Sequence, residues 1–225
     1  MKKSLLYGEM AEWFNATVLK TIGDVSRPRV QIPLSPPVLF KGDIMKKSFY
    51  AGFMIGFAAL LSCCIENQIL AALFFSIGLL YIRISKFYLY TGQIQNIKNH
   101  STSFKELFFG LLGNICGVML IFSLFFFLNF PAAADKYFAI TAAKWSHPWY
   151  HYIASGMCCG MLMTIATKKE SPLWLSSLCV MAFILAGFNH SIADWFYVFG
   201  EGNPIKYFYW FLVVIGNFIG GLIIA

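Results

Sequence analysis

Gly187 to Phe199, GFNHSIADWFYVF, places His190 and Asp194 inside a run of residues that is otherwise apolar enough to cross a membrane. An ionisable side chain at the centre of a bilayer costs roughly 2.5–3.5 kcal/mol on insertion scales, so such residues face the interior of a helix bundle or an aqueous path. The stretch therefore predicts a membrane-embedded helix bundle with a polar interior. It also makes His190 a candidate functional residue.

The composition of the whole chain supports a membrane location. Hydrophobic residues make up 59% of the sequence and charged residues only 12%, whereas globular proteins contain about 45–50% apolar residues. The net charge of +7 is spread thinly between apolar blocks and forms no basic patch, so no nucleic-acid partner is expected. The sequence predicts an integral membrane protein in contact with lipids.

The six cysteines give no sign of a metal site or a disulfide framework. They lie in apolar segments, with neither CxxC spacing nor a cluster of histidines nearby, so they are expected to fill helix contacts as thiols. No metal and no cofactor are expected. The cysteines are Cys63, Cys64, Cys116, Cys158, Cys159 and Cys179.

Residues 1–44 differ in character from the rest of the chain. They are polar, contain prolines, and have neither a periodic apolar face nor the continuous apolar core of a signal peptide. The stretch from Gly8 to Pro37 resembles the conceptual translation of a bacterial serine tRNA gene, so Met45 is the expected natural start. The alternative is an ordinary cytoplasmic extension. The membrane domain is predicted to cover 45–225, with repeats at about 48–130 and 150–225.

Six apolar segments follow this head, and a helix needs about 20 residues to cross a bilayer. The loop lysines divide into two groups: Lys46, Lys47, Lys98, Lys105, Lys168 and Lys169 on one side, and Lys136, Lys144 and Lys206 on the other. The positive-inside rule then places both termini in the cytoplasm. The segments are Phe49–Ile65, Ile69–Tyr90, Leu107–Phe130, Tyr150–Thr167, Leu173–Phe199 and Tyr207–Ala225.

The two halves of the chain repeat each other. Gly-x-x-x-Gly in the first segment recurs in the fourth at an offset of 104 residues, and Gly-Asn-x-x-Gly in the third recurs in the sixth at an offset of 103. Small residues at these spacings allow close helix packing. The predicted packing residues are Gly52, Gly56, Gly113 and Asn114 in the first half, and Gly156, Gly160, Gly216, Asn217 and Gly220 in the second.

Three spans in each repeat force the two copies to enter the membrane from opposite sides, which is an inverted-topology duplication. The second and fifth segments correspond in this scheme, and polar residues interrupt both of them. Thr91-Gly92 follows Arg83 and Lys86 in the second segment, and Gly187 precedes His190 in the fifth. Both segments are therefore predicted to be broken helices that face a path near the midplane. The predicted fold is an all-α membrane protein with six spans.

Several motifs together resemble the formate/nitrite transporter family, and the resemblance runs from about Ser48 to the end of the chain. It implies an aquaporin-like protomer in a homopentamer of the bacterial cytoplasmic membrane. Each protomer would have its own path for a small monovalent anion, and the protein would not be an enzyme. The motifs are FSIGL at Phe75–Leu79, LYTG at Leu89–Gly92, Gly113-Asn114, FNHSIA at Phe188–Ala193 and GNFIGG at Gly216–Gly221.

The resemblance also implies roles for individual residues. His190 corresponds to a central histidine flanked by Asn189, Thr91 to a threonine in the broken second span, and Lys144 to a lysine on the outer side. Relatives often have glutamate where this chain has Asn189, asparagine where it has Gly160, and an acidic residue where it has Tyr88. Phe75, Leu79 and Phe183 correspond to a cytoplasmic constriction, and Leu89 and Tyr90 to the opposite one.

These residue types suit the passage of a weak acid. A bare anion crosses an apolar constriction only at a large desolvation cost, whereas its neutral conjugate acid does not pay it. Lys144 would concentrate anions, His190 titrates near neutral pH when unperturbed, and Thr91 donates a hydrogen bond. The predicted substrates are formate, nitrite, hydrosulfide or a similar anion.

Two other functions are disfavoured. A channel for water or a neutral solute would be expected to carry paired Asn-Pro-Ala loops, which the sequence lacks. A membrane-embedded enzyme or scaffold would need clustered catalytic groups or metal ligands, and the sequence offers only isolated ones. The sequence leaves open whether Arg83 and Lys86 face the path, extend to the membrane interface, or pair with Asp194 or Glu106.

Overall fold

The computed structural model describes residues 41–225, and these contain nine α-helices, two short 3-10 helices and no β-strand. The first described helix begins at Lys41 and Ile44 is buried, so helical structure is already present before Met45. The rest of the predicted head, residues 1–40, lies outside the described residues. The α-helices are α1 (Lys41–Cys63), α2 (Gln68–Ile84), α3 (Tyr90–Gln93), α4 (Phe104–Leu128), α5 (Pro131–Lys144), α6 (Trp149–Thr167), α7 (Leu173–Leu185), α8 (Ser191–Val198) and α9 (Pro204–Ile224).

The helices reproduce the six predicted spans. Three of them, α1 from Gly42, α4 and α9, are long and apolar enough to cross a membrane, and α6 is a fourth helix of 19 residues. The second predicted span is divided into α2 and α3, and the fifth into α7 and α8. The prediction of an all-α fold with broken second and fifth spans is confirmed.

Close helix contacts at glycines hold each repeat together. In the first repeat, α1 runs parallel to α4, and a Cβ atom added to Gly52 would lie 1.9 Å from the carbonyl oxygen of Asn114. In the second repeat, α6 runs parallel to α9, and a Cβ atom on Gly220 would lie 2.0 Å from the carbonyl oxygen of Met157. Neither site has room for a side chain, so the backbones pack directly on each other.

The two broken spans end their first helices in the same way. Each helix closes in a Schellman motif, in which the residue after the C-cap adopts a left-handed conformation. That residue is Lys86 after α2, with φ 54°, and Gly187 after α7, with φ 71°. The hydrogen bonds are Lys86 N to Arg83 O and Phe87 N to Ile82 O in the first motif, and Gly187 N to Ile184 O and Phe188 N to Phe183 O in the second.

The helix α5 was not predicted from the sequence. It occupies the connection between the third and fourth spans, begins with Pro131 in its first turn and is rich in alanine, both of which favour helix formation. The buried Tyr137 fastens it to the bundle, since its hydroxyl donates to the carbonyl of Phe196 over 3.3 Å. This helix covers the end of the bundle at which α1 finishes, because Lys136 donates to the carbonyl of Ile65.

Candidate functional site

The two helix breaks meet at the centre of the bundle. Thr91 lies at the start of α3 and His190 immediately precedes α8, and the threonine Oγ1 is 3.0 Å from the histidine Nε2. Both residues are buried, with exposed fractions of 0% and 1%. A contact between residues 99 positions apart therefore joins the two repeats at the point where both helices are interrupted.

The hydrogen bonds of His190 determine the form of its ring. The histidine is the N-cap of α8, and its Nδ1 accepts the backbone N–H of Ala193 over 3.1 Å. Because Nδ1 uses its lone pair there, the neutral ring carries its proton on Nε2 and donates it to Thr91 Oγ1. Phe183 stacks on the imidazole with ring centroids 5.5 Å apart and planes inclined by 16°. The ring is thus fixed on three sides.

Asn114 and Asn217 hold the two breaks open in equivalent ways. The side-chain oxygen of Asn114 accepts the N–H of Tyr90 over 2.8 Å, and that of Asn217 accepts the N–H of Ser191 over 2.8 Å. Each amide nitrogen donates to two backbone carbonyls, at Ser48 and Tyr88 in the first repeat, and at Gly156 and Asn189 in the second. Non-helical backbone inside a membrane protein needs such partners. The two asparagines, predicted as packing residues, therefore also act as clamps on the breaks.

A cavity of about 390 Å³, the distal cavity, opens at the end of the bundle covered by α5. Lys144, at the carboxyl end of α5, reaches its wall and forms an ion pair with Asp194 of α8 over 2.9 Å. The lysine side chain is 20% exposed and the aspartate side chain 1%. The positive charge that the sequence places at this mouth is therefore partly balanced by a buried carboxylate.

Asn189 links this ion pair to the break. Its Nδ2 donates to Asp194 Oδ2 over 2.6 Å, and its Oδ1 accepts the hydroxyl hydrogen of Ser155 over 2.8 Å. The backbone N–H of Asn189 in turn donates to Ser155 Oγ over 2.9 Å. The residue before His190 is thus held by α6, α8 and α9, and it orients the histidine without contacting its ring nitrogens.

A second cavity of about 860 Å³, the proximal cavity, lies at the end of the bundle where α1 begins. Leu89 forms part of its wall, as do four basic residues, Arg83, Lys86, Lys168 and Lys169. Arg83 pairs with neither Asp194 nor Glu106. Its guanidinium donates to Ser176 Oγ and to the carbonyls of Lys168 and Ser171, whereas Glu106 forms the capping box of α4 with Ser103.

The two cavities lie at opposite ends of α2, a helix of 17 residues that is about 25 Å long at 1.5 Å per residue. Phe75 and Phe183 line the distal cavity together with Lys144, and Leu89 lines the proximal one. The sequence-based assignment of the phenylalanines to the cytoplasmic side and Lys144 to the outer side is therefore inconsistent. The two phenylalanines lie at the same end of the bundle as Lys144, so the prediction that placed them at the opposite end from Lys144 is wrong.

Leu79 and Tyr90, the other two predicted constriction residues, are both buried. The Tyr90 hydroxyl donates to the carbonyl of Val214 in α9 over 3.3 Å, which holds the ring against the second repeat. His147 and His151 stack on each other with centroids 4.1 Å apart and line the distal cavity beside Lys144. Among the described residues, no group of three or more potential metal ligands comes together.

Two inverted three-span repeats with broken helices that meet at the centre define an aquaporin-like membrane protein. The sequence profile named formate/nitrite transporter matches residues 41–225, and the chain belongs to this family. The resemblance seen in the sequence motifs is confirmed. No curated protein sequence matches the chain significantly.

Solved structures share this fold. One is described as a pentameric formate channel with formate bound, with a TM-score of 0.67, 18% identity, and coverage of 81% of this chain and 93% of that chain. Another is described as an ion channel of the same family, with a TM-score of 0.64, 19% identity, and coverage of 82% and 86%. At these identities the similarity establishes the fold, and the roles of individual residues rest on the geometry described above.

Proposed function

We propose that this protein is a membrane channel for a small monovalent weak-acid anion such as formate, nitrite or hydrosulfide. The observation that carries the proposal is the contact between Thr91 and His190, which lies between two cavities at opposite ends of the bundle. Membership of the formate/nitrite transporter family and the formate bound in a protein of the same fold support this substrate class.

The proposed path runs from the distal cavity past Phe75 and Phe183 to the central pair of residues. From there it passes Leu89 into the proximal cavity. Phe75 and Phe183 meet edge to face with centroids 6.1 Å apart, and each is only 4% exposed. Apolar side chains at this position exclude bulk water, so a solute passes them in a dehydrated form.

Thr91 supplies the polar group that a dehydrated anion needs. Because His190 donates its Nε2 proton to Thr91 Oγ1, the threonine hydrogen is free to be donated to a substrate in the path. Donation by the histidine polarises the threonine hydroxyl and strengthens its own donation. His190 therefore acts as a positioning residue for Thr91, and the pair binds the solute without a charged side chain in the constriction.

The ion pair at the distal mouth gives Lys144 a defined position. Asp194 holds the ammonium beside the cavity, and the lysine is exposed enough to attract an anion from solution. Because the carboxylate cancels part of the field, attraction at this mouth is local. Proton coupling would come from the conjugate acid of the substrate, which crosses the apolar constrictions more easily than the anion.

The orientation and assembly are also proposals. The basic loops at the proximal end favour a cytoplasmic location for that end and for both termini, and we assign the protein to the bacterial cytoplasmic membrane. The pentamer described for a protein of the same fold supports a homopentamer. The distal cavity then opens to the outside.

Uptake of labelled formate, nitrite and hydrosulfide into proteoliposomes tests the proposal. Uptake is expected to increase as the external pH falls, because more of the substrate is present as its neutral acid. Thr91→Val removes the donor while keeping the shape of the side chain, and should reduce uptake at least tenfold, whereas Thr91→Ser should retain most of it. Water flux without anion uptake, or equal uptake by the valine variant, would refute the proposed function.

A further inference from the structure

The proximal cavity carries more unbalanced positive charge than the distal one. Its walls contain four basic side chains and a single acidic one, Glu170. The distal cavity, by contrast, is lined by two lysines, Lys136 and Lys144, and one of them, Lys144, is paired with Asp194. Field strength at the two mouths of the path is therefore unequal.

Among these basic residues, Lys86 is the one whose backbone conformation is unfavourable for a residue with a side chain. It adopts a left-handed conformation with φ 54°, which costs a residue with a side chain roughly 1–2 kcal/mol relative to the right-handed region. The second repeat uses Gly187 at the equivalent position of an identical helix end. The second repeat thus has glycine, the residue that this turn favours, whereas the first repeat has lysine at the same position.

The surroundings of Lys86 leave its charge available. The side chain is exposed and lines the proximal cavity. Leu89, three residues further along, lines the same cavity and is the predicted constriction. Arg83, one turn earlier, is held by neutral partners. Two cationic groups with no carboxylate partner among the described residues therefore stand directly outside the constriction.

We propose that Lys86, supported by Arg83, is the anion-collecting residue of the proximal mouth and determines how well monovalent anions reach Leu89 from that side. This inference rests on the proposed function, because it assigns a residue to the same path. Attraction by one exposed charge at about 8 Å changes the local anion concentration about two- to threefold at low salt. Salt screens it, since the Debye length falls from about 30 Å at 0.01 M to about 8 Å at 0.15 M.

Inverted and right-side-out membrane vesicles each expose one of the two mouths of the path to the external solution. Labelled formate is the probe, and choline gluconate raises the ionic strength on the external face only. In inverted vesicles the external face carries the proximal mouth, so wild-type uptake should fall about two- to threefold between about 0.01 M and 0.15 M salt. Lys86→Gln should lose most of this dependence and Lys86→Arg should keep it. In right-side-out vesicles the glutamine variant should respond to salt like the wild type.

Lys105→Gln is the matched control, because Lys105 is exposed near the start of α4, at the same end of the bundle, and does not line the cavity. It should leave the salt dependence unchanged. Equal salt dependence in wild type and Lys86→Gln, in both orientations, would overturn this inference alone. Absence of formate uptake by the wild type would overturn the proposed function and this inference with it. A loss confined to right-side-out vesicles would support the role of Lys86 and overturn the proposed orientation.

Discussion

At the scale of single residues, the central pair shows how a buried histidine is used without a charge. One ring nitrogen of His190 accepts the hydrogen bond that caps α8, and the other forms a hydrogen bond with Thr91. Forming an imidazolium would require breaking the bond from the Ala193 N–H, next to the positive end of the helix dipole. The geometry therefore favours a neutral histidine that positions a hydroxyl, and in the proposed function Thr91 is the residue that contacts the substrate.

Replacing His190 separates its two roles. His190→Asn keeps a side-chain acceptor suited to an N-cap and removes the Nε2–H that reaches Thr91. We expect a stability within about 1 kcal/mol of the wild type and formate uptake that is at least several-fold lower. His190→Ala should lose both the cap and the uptake. Thermal unfolding in detergent and uptake assays on the same preparations would measure this, and full uptake by His190→Asn would contradict the positioning role.

The ion pair between Lys144 and Asp194 gives a second prediction at this scale. Asp194→Asn leaves the lysine unpaired and alters the contact with Asn189. Breaking a fully buried pair costs about 3–5 kcal/mol; since Lys144 is partly exposed, we expect a loss of about 1–3 kcal/mol in the free energy of unfolding.

Asp135→Asn is the matched control for this change, because Asp135 is exposed on the same helix as Lys144. It should change stability by less than about 0.5 kcal/mol. The double variant Lys144→Met, Asp194→Asn should recover part of the loss, since no uncompensated charge remains. Chemical denaturation in detergent gives these values, and additive losses in the double variant would show that the pair is not coupled.

At the scale of elements, the same type of turn ends α2 at Lys86 and α7 at Gly187. The chain therefore allows lysine and glycine to be compared in one turn. Lys86→Gly removes the strain of a left-handed residue, and we expect a gain of about 1 kcal/mol in the free energy of unfolding. Gly187→Ala introduces the same strain and should lose a similar amount. Denaturation curves of the two variants decide this, and a loss of stability in Lys86→Gly would show that the lysine side chain itself supports the fold.

Helix contacts give a prediction with a control in the same chain. Gly220→Ala places a Cβ atom 2.0 Å from the carbonyl oxygen of Met157, so α6 and α9 must separate; overpacking of this kind typically costs about 1–3 kcal/mol. Gly42→Ala meets nothing within 4 Å and should be neutral or slightly stabilising, because alanine favours a helix. Equal stability of the two variants would contradict the proposed close contact.

The same elements show what the sequence was able to predict. The spans and breaks were predictable because hydropathy and polar interruptions are local patterns. The clamping role of Asn114 was not, since it depends on contacts with residues 24 to 66 positions away. The helix α5 was missed because its hydropathy is low, and the partners of Arg83 and Asp194 depend on how the helices pack.

At the scale of the whole molecule, the start of the chain is the feature that the sequence and the family match describe differently. The family match begins at residue 41, the same residue at which α1 begins. The expectation that Met45 is the natural start remains a prediction. Amino-terminal sequencing of the protein expressed from its own chromosomal locus would test it, and any peptide from before Met45 would refute it.

Assembly leads to the last prediction. If five protomers associate and each has its own path, native mass spectrometry should find five chains of 25.4 kDa, or five chains shorter by 44 residues if Met45 is the start. Mixed pentamers of wild-type and Thr91→Val subunits should then show formate uptake in direct proportion to the wild-type fraction, because the contact between Thr91 and His190 lies within one chain. A control mixture of wild-type and Lys105→Gln subunits should keep full uptake. A decline steeper than proportional would mean that subunits share a path or act together, and would contradict independent protomers.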